Sequence, residues 1–198
     1  MTAAETLTLL DWKRRVFALY AAVRSMEPES GWELWRETRD ELFRSHPQSP
    51  RPGYTELAYY DYDPTARVLA ELEDLEAAPA AVETSGPEPI LFTPFARAHF
   101  KLRGESLALE LDWLASYGGG VFLSFRDSTS GTTTYGGGRY LLDTVKGADL
   151  GETDGRLVLD FNFAYNPSCS YDPGWVCPLA PPANRLSIAV EAGEKHLS

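Results

Sequence analysis

The chain has two cysteines, three histidines and two methionines among its 198 residues, and these scarcities exclude whole classes of function. Cys169 and Cys177 are too few for a disulfide framework or a four-thiolate zinc site. No Gly-x-Ser-x-Gly elbow is present, and with only His46, His99 and His196 the usual nucleophile–base pairing is poorly supplied. Neither the phosphate-binding P-loop pattern nor the dinucleotide fingerprint occurs. No run approaches the ~18 consecutive apolar residues of a membrane span. Met1-Thr2-Ala3-Ala4-Glu5-Thr6 lacks the basic region and apolar stretch of a secretory signal, so a cytoplasmic setting is expected by elimination. Positive charge is also short. Eighteen Lys and Arg face 29 Asp and Glu, a net charge of -11 with a pI near 4.7. That field repels nucleic acid and anionic membrane surfaces, and neither is expected as a partner. The longest basic run, Lys13-Arg14-Arg15, falls inside a helical pattern and reads as a solvated face.

What is present is a substantial apolar complement: 43% hydrophobic and 12% aromatic residues, enough for a packed core. The length suits one folding unit made of a helical segment, 1–50, and a β-rich domain, 51–198. Leu9, Trp12, Val16, Leu19 or Tyr20, and Val23 recur at three- and four-residue steps, which predicts a helix over 7–26 that Pro28 breaks. Ser30-Gly31-Trp32-Glu33 has the form of a capping box for a second helix carrying Trp35, Leu42 and Phe43 and stopping near His46. Beyond it the period becomes two. Val68, Ala70 and Leu72 alternate with polar residues; so do Ala98, Phe100 and Leu102, then Leu107, Leu109, Leu111 and Trp113 after an Arg103-Gly104-Glu105 turn. Val82 marks a short strand. Val121, Leu123 and Phe125, then Leu157, Leu159, Phe161 and Phe163, then Leu186, Ile188 and Val190 complete the series. The expected fold is mainly β (α+β), a β-barrel or barrel-like sandwich with two N-terminal helices.

Two polar stretches stand out. Between Phe125 and Tyr140 lie Arg126, Asp127, Ser130, Tyr135, Gly136-Gly137-Gly138 and Arg139. Glycine lets backbone approach a ligand closely, and paired guanidinium groups suit a carboxylate or phosphate. In the second stretch, alternation places Asp160 and Asn162 opposite Leu159, Phe161 and Phe163, leading into Asn166-Pro167 and on to Cys177-Pro178. The two cysteines, eight apart, are open to four readings: a metal pair, a redox couple, a strained local disulfide or a reduced packed pair. A reducing compartment favours the last, and no metal site is assigned.

Arg126-Asp127-Ser128-Thr129-Ser130-Gly131, Gly138-Arg139-Tyr140-Leu141, Asp160-Phe161-Asn162, Ala164-Tyr165-Asn166-Pro167, Cys177-Pro178-Leu179, Asn184-Arg185-Leu186 and Glu191-Ala192-Gly193-Glu194 together resemble the bacterial family catalogued as domain of unknown function 1684, over residues 32–195. The resemblance carries no activity. It implies that the two polar stretches are a shared signature, and so that Arg126, Asp127, Arg139, Asp160, Asn162 and Asn166 form one cluster. The resulting expectation is a polar pocket for a small anionic metabolite. Arg126 and Arg139 hold the anion, Asp127 or Asp160 serves as acid/base or orienting group, and Ser130, Tyr135, Asn162 and Asn166 donate or accept hydrogen bonds. Two alternatives stand beside it: a flavin-binding β-barrel, and a non-enzymatic interaction module presenting Tyr59, Tyr60, Tyr62 and Trp175. The sequence assigns neither a cofactor nor an oligomeric state.

Overall fold

A computed structural model describes residues 2–54, 56–76, 78–114 and 118–196. Helix α1 (Ala3–Val23) begins earlier than the apolar period implies, because Thr2 and Glu5 cap it reciprocally. The Glu5 amide donates to Thr2 Oγ1 at 3.2 Å, and the Thr2 amide donates to Glu5 Oε2 at 2.6 Å. Helix α2 (Pro28–Ser45) is not started by the Ser30–Glu33 spacing. Pro28 occupies the first turn, where its missing N–H removes a donor that has no helical partner anyway, and Ser30 and Glu33 lie inside the helix. The proline read as a breaker is a starter.

Among the described residues eight strands follow: β1 (Arg67–Asp74), β2 (Ala80–Val82), β3 (Ile90–Leu102), β4 (Glu105–Trp113), β5 (Val121–Phe125), β6 (Arg139–Asp143), β7 (Glu152–Thr153) and β8 (Arg156–Asp160). All pairings are antiparallel, in the order β6-β5-β4-β3-β1-β8-β7, with β2 on β3. The order ends at β6 and β7 without closing, so the sheet curls into a half-barrel. Register shifts at Pro94/Ala96 and Leu123/Ser124 supply bends of the kind a curled sheet needs. Arg103 and Gly104 both take positive φ, 52° and 85°, the requirement of a two-residue turn whose twist matches the strands it joins.

The alternating residues Ala98, Phe100, Leu102, Leu109 and Leu111 fill the inside of the curl with Leu123, Phe125 and Phe161. A second core lies between helices and sheet: Leu19, Tyr20, Val23, Trp32, Trp35 and Phe43 pack on Ala148, Leu150, Val158 and Phe163. No helix among the described residues is long and apolar enough to cross a membrane.

Three segments depart from the sequence pattern. Strand β6 has no alternation to reveal it, because all five of its residues are buried. At residue 160 the period of two stops. The Asp160 carboxylate accepts the Asn162 amide at 3.0 Å and turns Phe161–Phe163 into a 3-10 helix. Phe161 therefore enters the core inside the curl and Phe163 the core under the helices, instead of sharing one face. Leu186, Ile188 and Val190 form no strand; the chain there follows residues 126–128 through single bonds such as the Leu186 amide to the Arg126 carbonyl at 2.8 Å.

Candidate functional site

The first polar stretch folds in on itself. Arg139 is 1% exposed, and its guanidinium donates to Asp127 Oδ2 at 2.6 Å, to the Val190 carbonyl at 2.9 Å and to the Ala192 and Glu194 carbonyls, while stacking on Phe125. Asp127 accepts the amide and hydroxyl of Thr129, and its own amide donates to Ser130 Oγ at 3.1 Å, which closes the loop as an Asx turn. Gly138, at φ +97°, is required by the chain itself: a Cβ there meets the Phe125 carbonyl at 2.7 Å. Burial depresses the Arg139 pKa, and the Asp127 carboxylate opposes that shift. Arg126 lies half-buried, with its Nε lacking a partner among the described residues and its backbone bonded to residues 184 and 186. Tyr135 turns the other way, its hydroxyl 3.7 Å from Cys169 Sγ.

The second stretch is equally occupied. Asp160, fully buried, accepts the amide and the Nδ2 of Asn162 and receives Arg67 at 3.4 Å; burial pushes its carboxyl pKa up. Asn162 copies a strand partner, accepting the Asp63 amide at 2.9 Å and donating to the Asp63 carbonyl at 2.8 Å. Asn166 donates through Nδ2 to the Lys195 carbonyl, and its amide donates to Glu194 Oε2 at 2.9 Å. Glu194 also takes Arg39 at 2.8 Å and the Tyr171 hydroxyl, though burial raises its pKa. The predicted residues thus meet as two sets, Asp127–Arg139–Ser130 and Asp160–Asn162. Glu194 ties Asn166 to the first set.

They do not share a pocket. Of the eight, only Asn166 borders one of the principal cavities. Arg139, expected to hold the anion, directs its donors to Asp127 and to main-chain carbonyls of the C-terminal segment. Asp127 and Asp160, expected as acid/base or orienting groups, likewise meet internal partners. The proposed aromatic contact patch is also corrected. Tyr59 is in the core, Tyr62 packs on Trp32, and the Tyr60 hydroxyl bonds Thr133 at 2.6 Å; Trp175 alone of the four is exposed.

One concave surface lies elsewhere. A cleft of about 310 Å³ opens between α1, α2 and the 165–178 segment. Leu9, Trp12, Val16, Leu19, Trp35 and Phe43 make one wall; Tyr140, Tyr165, Asn166, Val176 and Pro178 contribute to the other. Asn166 Oδ1 is buried without a hydrogen-bond partner among the described residues. Three cations border the cleft. Arg39 is held by Glu194 and the Tyr59 hydroxyl, and Lys146 by Asp143 at 2.8 Å. Lys13 has no ion pair or hydrogen-bond partner for its ammonium among the described residues. Among the described residues, no Asp, Glu or His lines the cleft. Nor is there, among the described residues, a His/Cys/Asp/Glu group arranged to hold a metal.

The family model described as protein of unknown function (DUF1684) matches residues 52–195. The chain belongs to this family. The match begins after α2, not at Trp32 as the motif resemblance implied. A solution NMR structure of an uncharacterized protein of Haloarcula marismortui is similar at 35% identity and a TM-score of 0.60, covering 84% of this chain and 93% of that one. Coverage of that extent is more than residues 52–198 can supply, so the shared fold reaches into the helical pair. No curated protein matches the chain. Within the family segment, Arg139, Asp160, Asn162 and Glu194 are the groups that fasten irregular backbone, which accounts for their grouping into dense motifs. The cleft's α1 wall is hidden in the sequence for a simpler reason. Lys13 reads with Arg14 and Arg15 as a solvated run, yet it lies four residues after Leu9 and three before Val16, on the apolar stripe.

Proposed function

We propose that the chain binds a small, largely apolar organic acid in the cleft between the helical pair and the 165–178 segment. One observation carries this reading. In a chain with 29 acidic residues, the cleft wall has none, and it has Lys13, Arg39 and Lys146. The aromatic and aliphatic lining favours an apolar body, and its size sits at the small end of ligand cavities, roughly 300–1,000 Å³. Lys13, unlike the other two cations, has no internal anion among the described residues and is the group expected to meet a carboxylate. The Asn166 carbonyl oxygen adds an unfilled acceptor at the same wall. The expectation of a small anionic ligand is thereby kept and moved from the arginine-rich stretches to the helices. The reading is one of binding.

A thermal-shift series tests it, using straight-chain carboxylates of increasing length against the alcohols and amines of matching length. The acids are expected to raise the melting temperature in a saturable way. A ligand at about 100 times its Kd adds about 2.7 kcal/mol to stability. Equal shifts from acids and alcohols would remove the anionic part of the reading, and no shift from any member would remove the cleft.

A further inference from the structure

The pair of thiols beside the cleft is absorbed by neither the fold nor the binding reading. We propose that Cys169 and Cys177 form a thiol–disulfide couple, oxidised by low-molecular-weight disulfides, with Cys169 as the attacking sulfur and Cys177 as the resolving one. The geometry brings the two together. After the 3-10 turn Ser168–Ser170 the chain doubles back, and the Cys169 amide donates to Cys177 Sγ at 3.3 Å. Cys177 is fixed in place by the 84–85 segment: Ser85 Oγ accepts its amide at 3.0 Å, and the Ser85 amide donates to its carbonyl at 2.9 Å. Its sulfur is thus held over the residue it would join.

The two sulfurs are not equivalent. Cys169 is partly exposed and Cys177 is buried, so a reagent from solvent meets Cys169 first. Around Cys169 stand the Cys177 thiol, the Ser85 hydroxyl and the Tyr135 hydroxyl, and their hydrogen bonds bring its pKa down to about 6. Cys177, as the donor of the pair, is pushed up, opposed in part by Lys146; Tyr135 is pushed up to about 12 by burial and by Cys169. An exposed thiolate backed by a protonated, sheltered neighbour is the division of labour that exchange requires.

The step balances. Cys169 thiolate attacks one sulfur of the small disulfide, forming a mixed disulfide and expelling a thiolate. That thiolate takes the Cys177 proton; Cys177 then attacks Cys169 Sγ and expels the second thiolate, which takes up the proton released when Cys169 ionised. Two protein thiols lose two electrons and two protons, and the small disulfide becomes two thiols.

The inference is independent of any ligand in the cleft. Its test is equilibration of the full chain in glutathione buffers from fully reduced to fully oxidised, acid quenching, and intact and peptide mass analysis. The wild type is expected to lose two hydrogens, with Cys169 and Cys177 cross-linked, and to regain them with dithiothreitol. Cys177→Ser should accumulate a glutathione adduct on Cys169. Cys169→Ser should react at Cys177 slower by an order of magnitude or more. A wild type that stays reduced in every buffer, or stops at the mixed disulfide, overturns the couple. Equal rates in the two single variants overturn the assignment of attacking sulfur.

Discussion

Arg139 and Lys13 are both cations withdrawn from full solvent exposure, and the protein treats them in opposite ways. Arg139 is surrounded by an ion pair, main-chain carbonyls and the face of Phe125. Lys13 stands at an apolar wall with no partner among the described residues. The same contrast holds for carboxamides: Asn162 uses both ends of its side chain on Asp63, whereas Asn166 leaves its oxygen unfilled beside the cleft. Dense polar motifs here mark places where irregular backbone has no ladder partner and must be satisfied by side chains. A binding surface is marked instead by polar groups that the fold leaves unsatisfied.

The sharpest way to break that contrast is to remove the guanidinium. Arg139→Met leaves Asp127 buried without its cation and the 190–194 carbonyls without their donor, and is expected to cost about 3–5 kcal/mol in denaturant unfolding. The double variant Asp127→Asn, Arg139→Met should recover part of that loss, since no unpaired charge remains. A single variant as stable as the wild type would return the stretch to candidacy as a ligand site. Asn162→Ala should cost less, about 1–3 kcal/mol, by stranding the Asp63 amide and carbonyl.

How far the sequence reveals these regions depends on what satisfies each residue. Half-buried strands announce themselves: Ala98, Phe100 and Leu102 face the same core as Leu109 and Leu111, and their alternation is plain. The β6 segment Arg139–Asp143 does not, because burial on both sides removes the polar half of the pattern. Asp160 breaks the count by capping its own turn, so residues two apart no longer share a face. Apart from Asp127, the partners of Arg139 are carbonyls about fifty residues downstream, and no residue-type pattern records a carbonyl. Composition finds arginine, aspartate and glycine together and suggests a ligand; only the fold shows that the C-terminal segment is what they hold. In α1 the opposite signal was available, since a lysine on an apolar stripe has no folding reason to be there.

Asp112 sharpens the comparison from the other side. It is 3% exposed on β4, yet its carboxylate accepts no hydrogen bond among the described residues. Burial, with Glu110 nearby, pushes its pKa from 3.8 up to about 6. The folded state therefore holds this proton more tightly than the unfolded chain does. Its contribution to stability is fully present below about pH 4 and is lost as pH rises through about 6. Asp112→Asn is expected to stabilise the protein at pH 7 by about 1–2 kcal/mol, with the gain vanishing at pH 4. Unfolding curves at the two pH values check it, and a loss at pH 7 would mean that the carboxylate has a partner worth keeping.

Lys13→Met carries the smallest expected change in stability and the most weight for function. The side chain is half-buried, its aliphatic stem already lies against the cleft, and methionine preserves that packing. Unfolding free energy should move by no more than about 0.5 kcal/mol. Affinity for the carboxylate should nonetheless fall roughly ten- to hundredfold by calorimetric titration, the loss of one charge-assisted contact worth about 1.5–3 kcal/mol. Added salt should weaken binding to the wild type and leave the variant nearly unchanged, because screening acts on the charge that the substitution removes. Affinity untouched by Lys13→Met would mean that Arg39 or Lys146 meets the anion, and one of their internal pairs must then open on binding. Stability would become ligand-dependent at Glu194 or Asp143, and the division between satisfied and unsatisfied cations would no longer separate the staple from the site.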